Sequence, residues 1–180
     1  MANIVFKRVT GKSENYSKIK EIYLEAFPEN ERPREFDDLI AISEKSGFVT
    51  MYELLEDNRL LAFYLVAELE KFDYGLMLAV EKSFRMQGIG TELLSAIIEK
   101  MHGKPLIFVI EKPTERAENY EQRVRRQKFY ERNGMYISDI SIPYMDDEYL
   151  LVSSQKEIPL KKYFDEYMKE AIPQIVEYKL

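Results

Sequence analysis

The sequence predicts an α/β protein in which helices flank both faces of a mixed sheet. Short apolar or alternating stretches typical of strands are interleaved with longer stretches whose apolar residues recur every three or four positions, as in amphipathic helices. A length of 180 residues suits one folded domain with a sizeable core. We therefore expect one domain over residues 1–154, followed by a C-terminal helical extension over residues 155–180.

The first part of the chain predicts a strand, two helices and a hairpin. A strand over about residues 4–9 precedes a helix with one apolar face, which ends at Pro28. A second amphipathic helix begins near residue 36. Two further strands cover about residues 48–55 and 60–68, and the short polar segment between them indicates a hairpin.

A glycine-containing turn between a strand and a helix is the most informative stretch. The apolar run over residues 75–80 predicts a buried strand, and helical spacing of apolar residues starts after Gly88. A helix that begins there directs unpaired N–H groups and the positive end of its dipole at the turn. Gly88 and Gly90 would let an anion approach these amides without meeting a Cβ atom, and Arg85 adds a positive charge. The turn is therefore predicted to bind a phosphate, most naturally a pyrophosphate.

Two other glycine-rich phosphate-binding motifs do not match this turn. A dinucleotide fingerprint needs a third glycine where this chain has Leu93. A P-loop needs Gly-x-x-x-x-Gly-Lys followed by Ser or Thr, and the sequence contains no such string. The glycine turn therefore predicts a different kind of phosphate site.

Two stretches, taken in chain order, resemble the GNAT acetyltransferase superfamily. Arg85-x-x-Gly88-x-Gly90 is similar to the acyl-CoA signature of that family, (R/Q)-x-x-G-x-(G/A). Residues 129–135 read F-Y-E-R-N-G-M and resemble its F-Y-E-x-x-G-F segment, which here closes a polar helix predicted over about residues 115–133. A strand predicted over residues 105–110 lies between them. The resemblance implies a GNAT-like sheet that is mixed and mostly antiparallel.

The resemblance also implies that the chain binds acetyl-CoA as a cosubstrate, without a metal. Backbone amides of the turn would bind the pyrophosphate. In GNAT proteins the central strands splay just before the turn, and exposed backbone groups there bind the pantetheine and polarise the thioester carbonyl. The candidate cofactor-binding residues are Leu78, Ala79, Val80, Arg85, Met86, Gln87, Gly88, Ile89, Gly90 and Thr91.

Tyr130 is the candidate general acid, because the tyrosine of the family's Phe-Tyr pair has this role in many members. A phenol of ordinary pKa near 10 carries a proton at neutral pH and could give it to the leaving thiolate. The alternative is that Tyr130 only packs against the cofactor or hydrogen-bonds to it. The general base stays open between Glu111 at the end of a strand, Glu31 in a linker expected to border the acceptor, and a chain of waters. His102, the only histidine, is a weak candidate because it ends a helix.

The predicted function is transfer of an acetyl group to a primary amine of a small molecule or a protein. The chain has no cysteine, so transfer is expected to be direct, in a ternary complex. A longer acyl donor is one alternative, and a non-catalytic CoA-binding sensor or interaction module is another. The net charge of −6 disfavours nucleic-acid partners and mildly favours a cationic acceptor. The clustered arginines Arg123, Arg125, Arg126 and Arg132 are interpreted mainly as exposed charge on a helix, with a contact to a CoA phosphate as the alternative. We found no run of 18 apolar residues and no signal peptide, and therefore expect a cytoplasmic protein with no membrane segment.

The C-terminal extension carries an apolar stripe at helical spacing. Pro173 is expected to kink or interrupt this helix. The stripe must be covered, either by the sheet of the same chain or at the contact of a homodimer. Its residues are Leu160, Tyr163, Phe164, Tyr167, Met168, Ala171, Ile172, Ile175 and Val176.

Overall fold

This computed structural model describes residues 3–29, 32–144 and 147–173, which form seven strands and five α-helices. The strands are β1 (Val5–Arg8), β2 (Val49–Glu56), β3 (Arg59–Glu68), β4 (Asp73–Val80), β5 (Leu106–Glu111), β6 (Tyr136–Tyr144) and β7 (Asp147–Ser153). The helices are α1 (Tyr16–Ala26), α2 (Phe36–Lys45), α3 (Ile89–Lys100), α4 (Tyr120–Arg132) and α5 (Leu160–Glu170).

All seven strands belong to one sheet, in the order β1-β2-β3-β4-β5-β7-β6. Neighbouring strands run antiparallel except for β4 and β5, which are parallel and are connected through α3. The predicted fold class, a mixed and mostly antiparallel sheet with flanking helices, is confirmed. The parallel pair, β4 and β5, lies in the middle of the sheet and is joined by only two residue pairs, beyond which the two strands separate.

Helices cover both faces of the sheet. On one face α1, α2 and α5 pack against β2, β3 and β4, with Tyr23, Phe36 and Tyr167 among the buried side chains. On the other face α3 packs on β3 and β5 through Leu93 and Ile97, and α4 adds its C-terminal residues. Both clusters bury large apolar surfaces, which is the main source of stability for elements of this length.

The hairpin between β2 and β3 is tight. Asp57 and Asn58 both have positive φ, 49° and 61°, as the two central residues of a type I′ turn require. Asp and Asn tolerate this left-handed conformation better than most residues. The hairpin that the polar segment predicted is confirmed.

Helix α4 begins later than the sequence pattern indicated. A helix from about residue 115 was expected, but Thr114–Ala117 and Ala117–Tyr120 form two successive turns before α4 starts at Tyr120. The polar residues in this stretch carry no apolar face that would bury a longer helix. At its other end α4 finishes as predicted, because Gly134 has the left-handed φ of 77° that a helix C-cap favours.

The C-terminal extension packs against the sheet. In α5 the side chains of Leu160, Phe164 and Tyr167 are buried, and the Tyr167 ring stacks on Tyr74 of β4 with ring centroids 3.7 Å apart. Met168, which the predicted stripe included, is exposed. The helix ends at Glu170, ahead of Pro173, whose ring nitrogen has no hydrogen to donate. Ile175 and Val176 of the predicted stripe lie outside the described residues, and the division of the chain at residue 154 stays a prediction.

Candidate active site

The two parallel strands part soon after they meet. Only two pairs join β4 to β5, and the last of them is Tyr74 with Ile107. Beyond it, residues 75–80 of β4 pair with β3 on one side and have no strand partner on the other in the described part of the chain. Backbone N–H and C=O groups on that side are therefore open to a ligand. The predicted pantetheine-binding stretch, residues 78–80, lies in this open part.

A β-bulge adds to the opening. Met77 pairs with Leu65 and Gly75 pairs with Val66, which leaves Leu76 without an opposite residue on β3. A bulge locally disrupts the ladder and increases the twist of its strand. It lies just beyond the last pair with β5, where β4 turns away from its neighbour.

The glycine turn follows β4. Gly88 has a φ of 83° and forms the N-cap of α3, and a Cβ atom there would meet no atom within 4 Å. Glycine is therefore favoured by the backbone conformation and not by crowding. Gly88 has no side chain to cap the helix, so the first N–H groups of α3 stay available to an anion, except that of Thr91, which donates to the carbonyl of Gly88. Met86 also has a positive φ, 65°, and its side chain is fully exposed.

Arg85 holds the turn against the end of β4. Its Nε donates a hydrogen bond of 2.8 Å to the carbonyl of Val80, and its Nη1 lies 3.2 Å from Oε1 of Glu25 in α1. Lys82 approaches the same carboxylate at 3.8 Å. The sequence predicted Arg85 as a positive charge beside the amides. Its charge is present there, but Glu25 balances part of it.

Gly90 connects the two motif stretches. A Cβ atom at Gly90 would lie 3.3 Å from Cζ of Phe129, which is tighter than ordinary contact. The missing side chain therefore lets α3 and α4 approach closely. Phe129 is the first residue of the Phe-Tyr pair, so the two stretches that resemble the family signature are in direct contact.

Tyr130 lies beside the place where β4 and β5 part. Its ring packs on Phe108 with centroids 4.8 Å apart, and Phe108 directly follows the last residue of β5 that pairs with β4. Burial raises the pKa of Tyr130, while the nearby Arg126 acts in the opposite direction. The phenol therefore keeps its proton at neutral pH, as a general acid must.

Glu111 is not a free carboxylate. It is the last residue of β5, and one of its oxygens accepts a hydrogen bond from Arg126. Its other oxygen lies 3.4 Å from Nη2 of Arg123 and 3.4 Å from Nδ2 of Asn119. Both oxygens of the candidate base are thus occupied by donors from α4 and the residue before it. To accept a proton, Glu111 would have to give up part of these contacts.

Arg123 is the centre of the polar cluster at the end of β5. Its side chain is only 8% exposed and makes two hydrogen bonds to Asp147, one of them 2.8 Å long. Its Nε donates to Oδ1 of Asn119 at 2.7 Å. This ion pair holds the pKa of Asp147 below its usual range. We call Glu111, Arg123, Arg126 and Asp147 the arginine–carboxylate cluster.

Sequence reasoning missed most of this cluster. The arginines of α4 were interpreted as exposed charge, which holds for Arg125 but not for the buried Arg123. The four-residue spacing of Asn119 and Arg123, and of Arg126 and Tyr130, was the signal that could have placed each pair on one side of the helix. Asp147 comes from a distant strand, and no local pattern indicates it.

The predicted acceptor region is only partly described. Glu31, the candidate substrate-binding residue, lies outside the described residues. Nearby, the hydroxyl of Tyr23 donates to the carbonyl of Arg34 at 2.5 Å, and Arg32 donates to the carbonyl of Phe27 at 2.6 Å. Among the acidic residues of this region, Asp37 is paired with Lys20 at 2.9 Å. These contacts hold Arg32 and Arg34 against α1 and its C-cap residue Phe27.

Two further classes of site were examined across the described ranges. They contain no group of three or more His, Cys, Asp or Glu side chains placed to hold a metal ion. They also contain no helix that is long and apolar enough to cross a membrane.

Several solved structures share this architecture. An acetyltransferase of the GNAT family from Bacteroides thetaiotaomicron, provisionally assigned, superposes with a TM-score of 0.79 at 22% identity and covers 98% of this chain and 99% of its own. An aminoglycoside 6′-N-acetyltransferase complexed with coenzyme A gives 0.62 at 13% identity, covering 86% and 98%. A GNAT acetyltransferase from Elizabethkingia anophelis with acetyl-CoA bound gives 0.55 at 17% identity, covering 86% and 99%.

Sequence comparison identifies the family. No curated protein matches the chain. The model of the acetyltransferase (GNAT) family matches residues 16–135, which is more than half of the chain and includes the glycine turn, the parting strands and the Phe-Tyr pair. The resemblance of the two motif stretches is thereby confirmed, and the chain belongs to the acetyltransferase (GNAT) family.

Proposed function

We propose that this protein transfers an acetyl group from acetyl-CoA directly to a primary amine of a small molecule or a protein, in a ternary complex. One observation supports this most directly. The buried Tyr130 lies beside the point where β4 and β5 part, and the uncapped amides of the glycine turn follow the open end of the same β4. This arrangement supports a proton donor and an anion site along one opening.

The residues around this opening suit acetyl-CoA. The open start of α3 at Gly88 and the turn over residues 85–91 would bind the pyrophosphate, since neither a side-chain cap nor a Cβ atom occupies the site. Over residues 78–80, the edge of β4 that has no strand partner would bind the pantetheine, although the carbonyl of Val80 already accepts a hydrogen bond from Arg85. When bound, acetyl-CoA supplies the acetyl group as an activated thioester. The neighbours complexed with coenzyme A and acetyl-CoA have the same fold, which also supports this donor.

Tyr130 would donate the proton that the leaving thiolate needs. Burial keeps its phenol protonated, and Arg126, a fixed positive charge nearby, lowers the cost of transient ionisation. Phe108 and Phe129 hold the ring in place. Backbone N–H groups of β4 at the opening would polarise the thioester carbonyl.

The amine must lose a proton before or during attack. The contacts of Glu111 with Arg126 and Arg123 favour a positioning role for this carboxylate over a role as base. Water entering between the parted strands would then carry the proton to solvent. The substitution Glu111→Gln separates a positioning role of this carboxylate from a role as general base.

A non-catalytic CoA-binding sensor is the second candidate. The observation in its favour is the same ion-paired state of Glu111, which leaves the described part of the opening without a free carboxylate. Both candidates bind acetyl-CoA, but the sensor releases no thiol with any amine.

Calorimetric titration with acetyl-CoA tests the cofactor site. Gly88→Glu should reduce the affinity by about 100-fold or more, because it places a negative charge among the amides that would bind pyrophosphate. Gly47→Glu is the matched control: Gly47 also has a positive φ, 76°, and open space around it, but it lies in the loop before β2. Equal loss in both variants would contradict the proposed site.

A screen for thiol release with a library of primary amines tests turnover. We expect thiol release from acetyl-CoA with at least one amine, and none from the Gly88→Glu variant. Binding without release for any amine would support the sensor instead, and absence of binding to the wild type would overturn the choice of acetyl-CoA as donor.

A further inference from the structure

A second cavity lies on the α3 side of the sheet, at the opposite end of α3 from the glycine turn. Its volume is about 410 Å³, within the range of sites for small molecules. Lys100 lines the cavity. It lies eleven positions, about 16 Å along the helix, from Ile89 at the glycine-turn end of α3. The polar side chains that line the cavity are Tyr52, Tyr64, Glu68, Asp73, Lys100, His102 and Lys104.

The hydroxyl of Tyr64 has no partner in the described part of the chain. The side chain is only 4% exposed, and its oxygen neither donates nor accepts a hydrogen bond. Buried hydroxyl groups are nearly always hydrogen-bonded, because leaving one unpaired costs free energy. Tyr64 lines the cavity, so a guest in the cavity is a suitable source of the missing partner.

Two charges in the cavity also lack a partner of opposite sign. The ammonium of Lys100 lies 4.5 Å from the centre of the Tyr52 ring, and no described carboxylate forms an ion pair with it. Glu68 accepts hydrogen bonds from Thr50 at 2.7 Å and Tyr52 at 3.0 Å, but forms no ion pair with a described cation. Tyr52 thus contacts both groups, its ring facing Lys100 and its hydroxyl bound to Glu68.

The other charges of the cavity neutralise each other. Lys104 forms an ion pair with Asp73 and also donates to the carbonyl of Leu69 at 3.1 Å. A ligand with one positive and one negative group would therefore satisfy Lys100 and Glu68 together, whereas a simple anion or cation would satisfy only one. Val66, Ile97 and Met101 form an apolar wall beside these groups.

We propose that this cavity binds a small zwitterion of the α-amino acid class, with its carboxylate beside Lys100, its ammonium beside Glu68, and a hydrogen bond to the Tyr64 hydroxyl. The apolar wall accommodates the side chain of the ligand. This cavity lies at the other end of α3 from the glycine turn, although the Tyr64 hydroxyl also approaches Gly75, where β4 parts from β5.

Thermal unfolding of the full chain with each of the twenty proteinogenic amino acids is the first test. At least one should raise Tm by about 3 °C at ten times its Kd. Calorimetry then measures the Kd of that amino acid, and also the binding of acetate and methylammonium as halves of the ligand. Both halves should bind at least about tenfold more weakly. No shift with any amino acid, or acetate binding as tightly as the amino acid, would overturn the proposal.

Three variants locate the binding. Lys100→Gln should raise the Kd of the amino acid by about tenfold, and Tyr64→Phe should raise it by about fivefold, since each variant removes one polar contact of the ligand. Lys45→Gln, an exposed lysine in the last turn of α2, is the control and should change nothing. Lys100 is not in the core, so its variant should fold. Unchanged affinity in both Lys100→Gln and Tyr64→Phe would place the ligand elsewhere, including the acceptor site, and overturn the proposal.

The Gly88→Glu variant separates this site from the proposed function. It should bind the amino acid with the wild-type Kd, even if it has lost acetyl-CoA. If Gly88→Glu lost binding of both the amino acid and acetyl-CoA, the proposal that they bind at two separate sites would be contradicted.

Discussion

The ends of β4 and β5 lie on the two sides of the opening between these strands. They differ in whether their polar groups already have hydrogen-bonding or ionic partners. After β4, the amides at the start of α3 have no side-chain cap, and Gly88 leaves the space around them empty. After β5, every charged group of the arginine–carboxylate cluster has an opposite charge in contact. Unsatisfied donors next to an opening suit a ligand, whereas a neutralised cluster suits the folded state. We therefore propose ligand binding at the end of β4 and structural support at the end of β5.

Tyr130 lies beside the opening between β4 and β5. Removal of its hydroxyl should have the largest effect on the rate of acetyl transfer. Tyr130→Phe should lower kcat by about 100-fold or more, because it removes the proposed proton donor. The Kd for acetyl-CoA should change little, since the ring remains. Tyr163→Phe, on the other face of the sheet where Tyr163 stacks on Phe72, is the control. A kcat within about twofold of the wild type in Tyr130→Phe would remove Tyr130 from the chemistry.

Arg123 should contribute mainly to stability. Arg123→Ala leaves Asp147 and part of Glu111 without their partner and should lower the free energy of unfolding by about 3 kcal/mol. The neighbouring Arg125 is exposed, so Arg125→Ala should have almost no effect. Denaturant unfolding measures both. Equal stability of the two variants would contradict a structural role for the cluster.

Glu111 distinguishes structural support from proton transfer most directly. In Glu111→Gln the ion pairs with Arg126 and Arg123 become weaker hydrogen bonds, and we expect a loss of about 1 kcal/mol in stability. With a structural role, kcat should fall less than about tenfold and its dependence on pH should keep the same shape. If the acid limb of the pH profile disappears in the variant, Glu111 is the base.

The pH dependence of stability should show the smallest effect. Arg123 holds the pKa of Asp147 below its usual range, so the pair stabilises the folded state above the unfolded pKa of about 3.9. That contribution is lost as the pH falls through the lower folded pKa. Asp147→Asn should be less stable than the wild type at pH 7, and the two should converge at about pH 2. A difference that stays constant with pH would exclude this ion pair as its source.

The two glycines of the turn illustrate what a sequence pattern can and cannot predict. Gly88 and Gly90 were given the same reason, access of an anion to the backbone. Gly88 is consistent with it, since its surroundings are empty and its φ is positive. Gly90 has a further role, because a Cβ atom there would press on Phe129 of α4. That contact joins residues almost forty positions apart, so no local pattern reveals it.

The sequence by itself determined the order of the elements, the hairpin, the glycine turn and the family resemblance. Each of these depends on the period of apolar residues or on the conformations that glycine, asparagine and proline permit within a few positions. Tertiary structure alone decided that Arg123 is buried against Asp147, that Glu111 is ion-paired, and that Tyr64 and Lys100 share a cavity. These relations depend on which strands and helices become neighbours, because burial and charge pairing are properties of side chains brought together from distant parts of the chain.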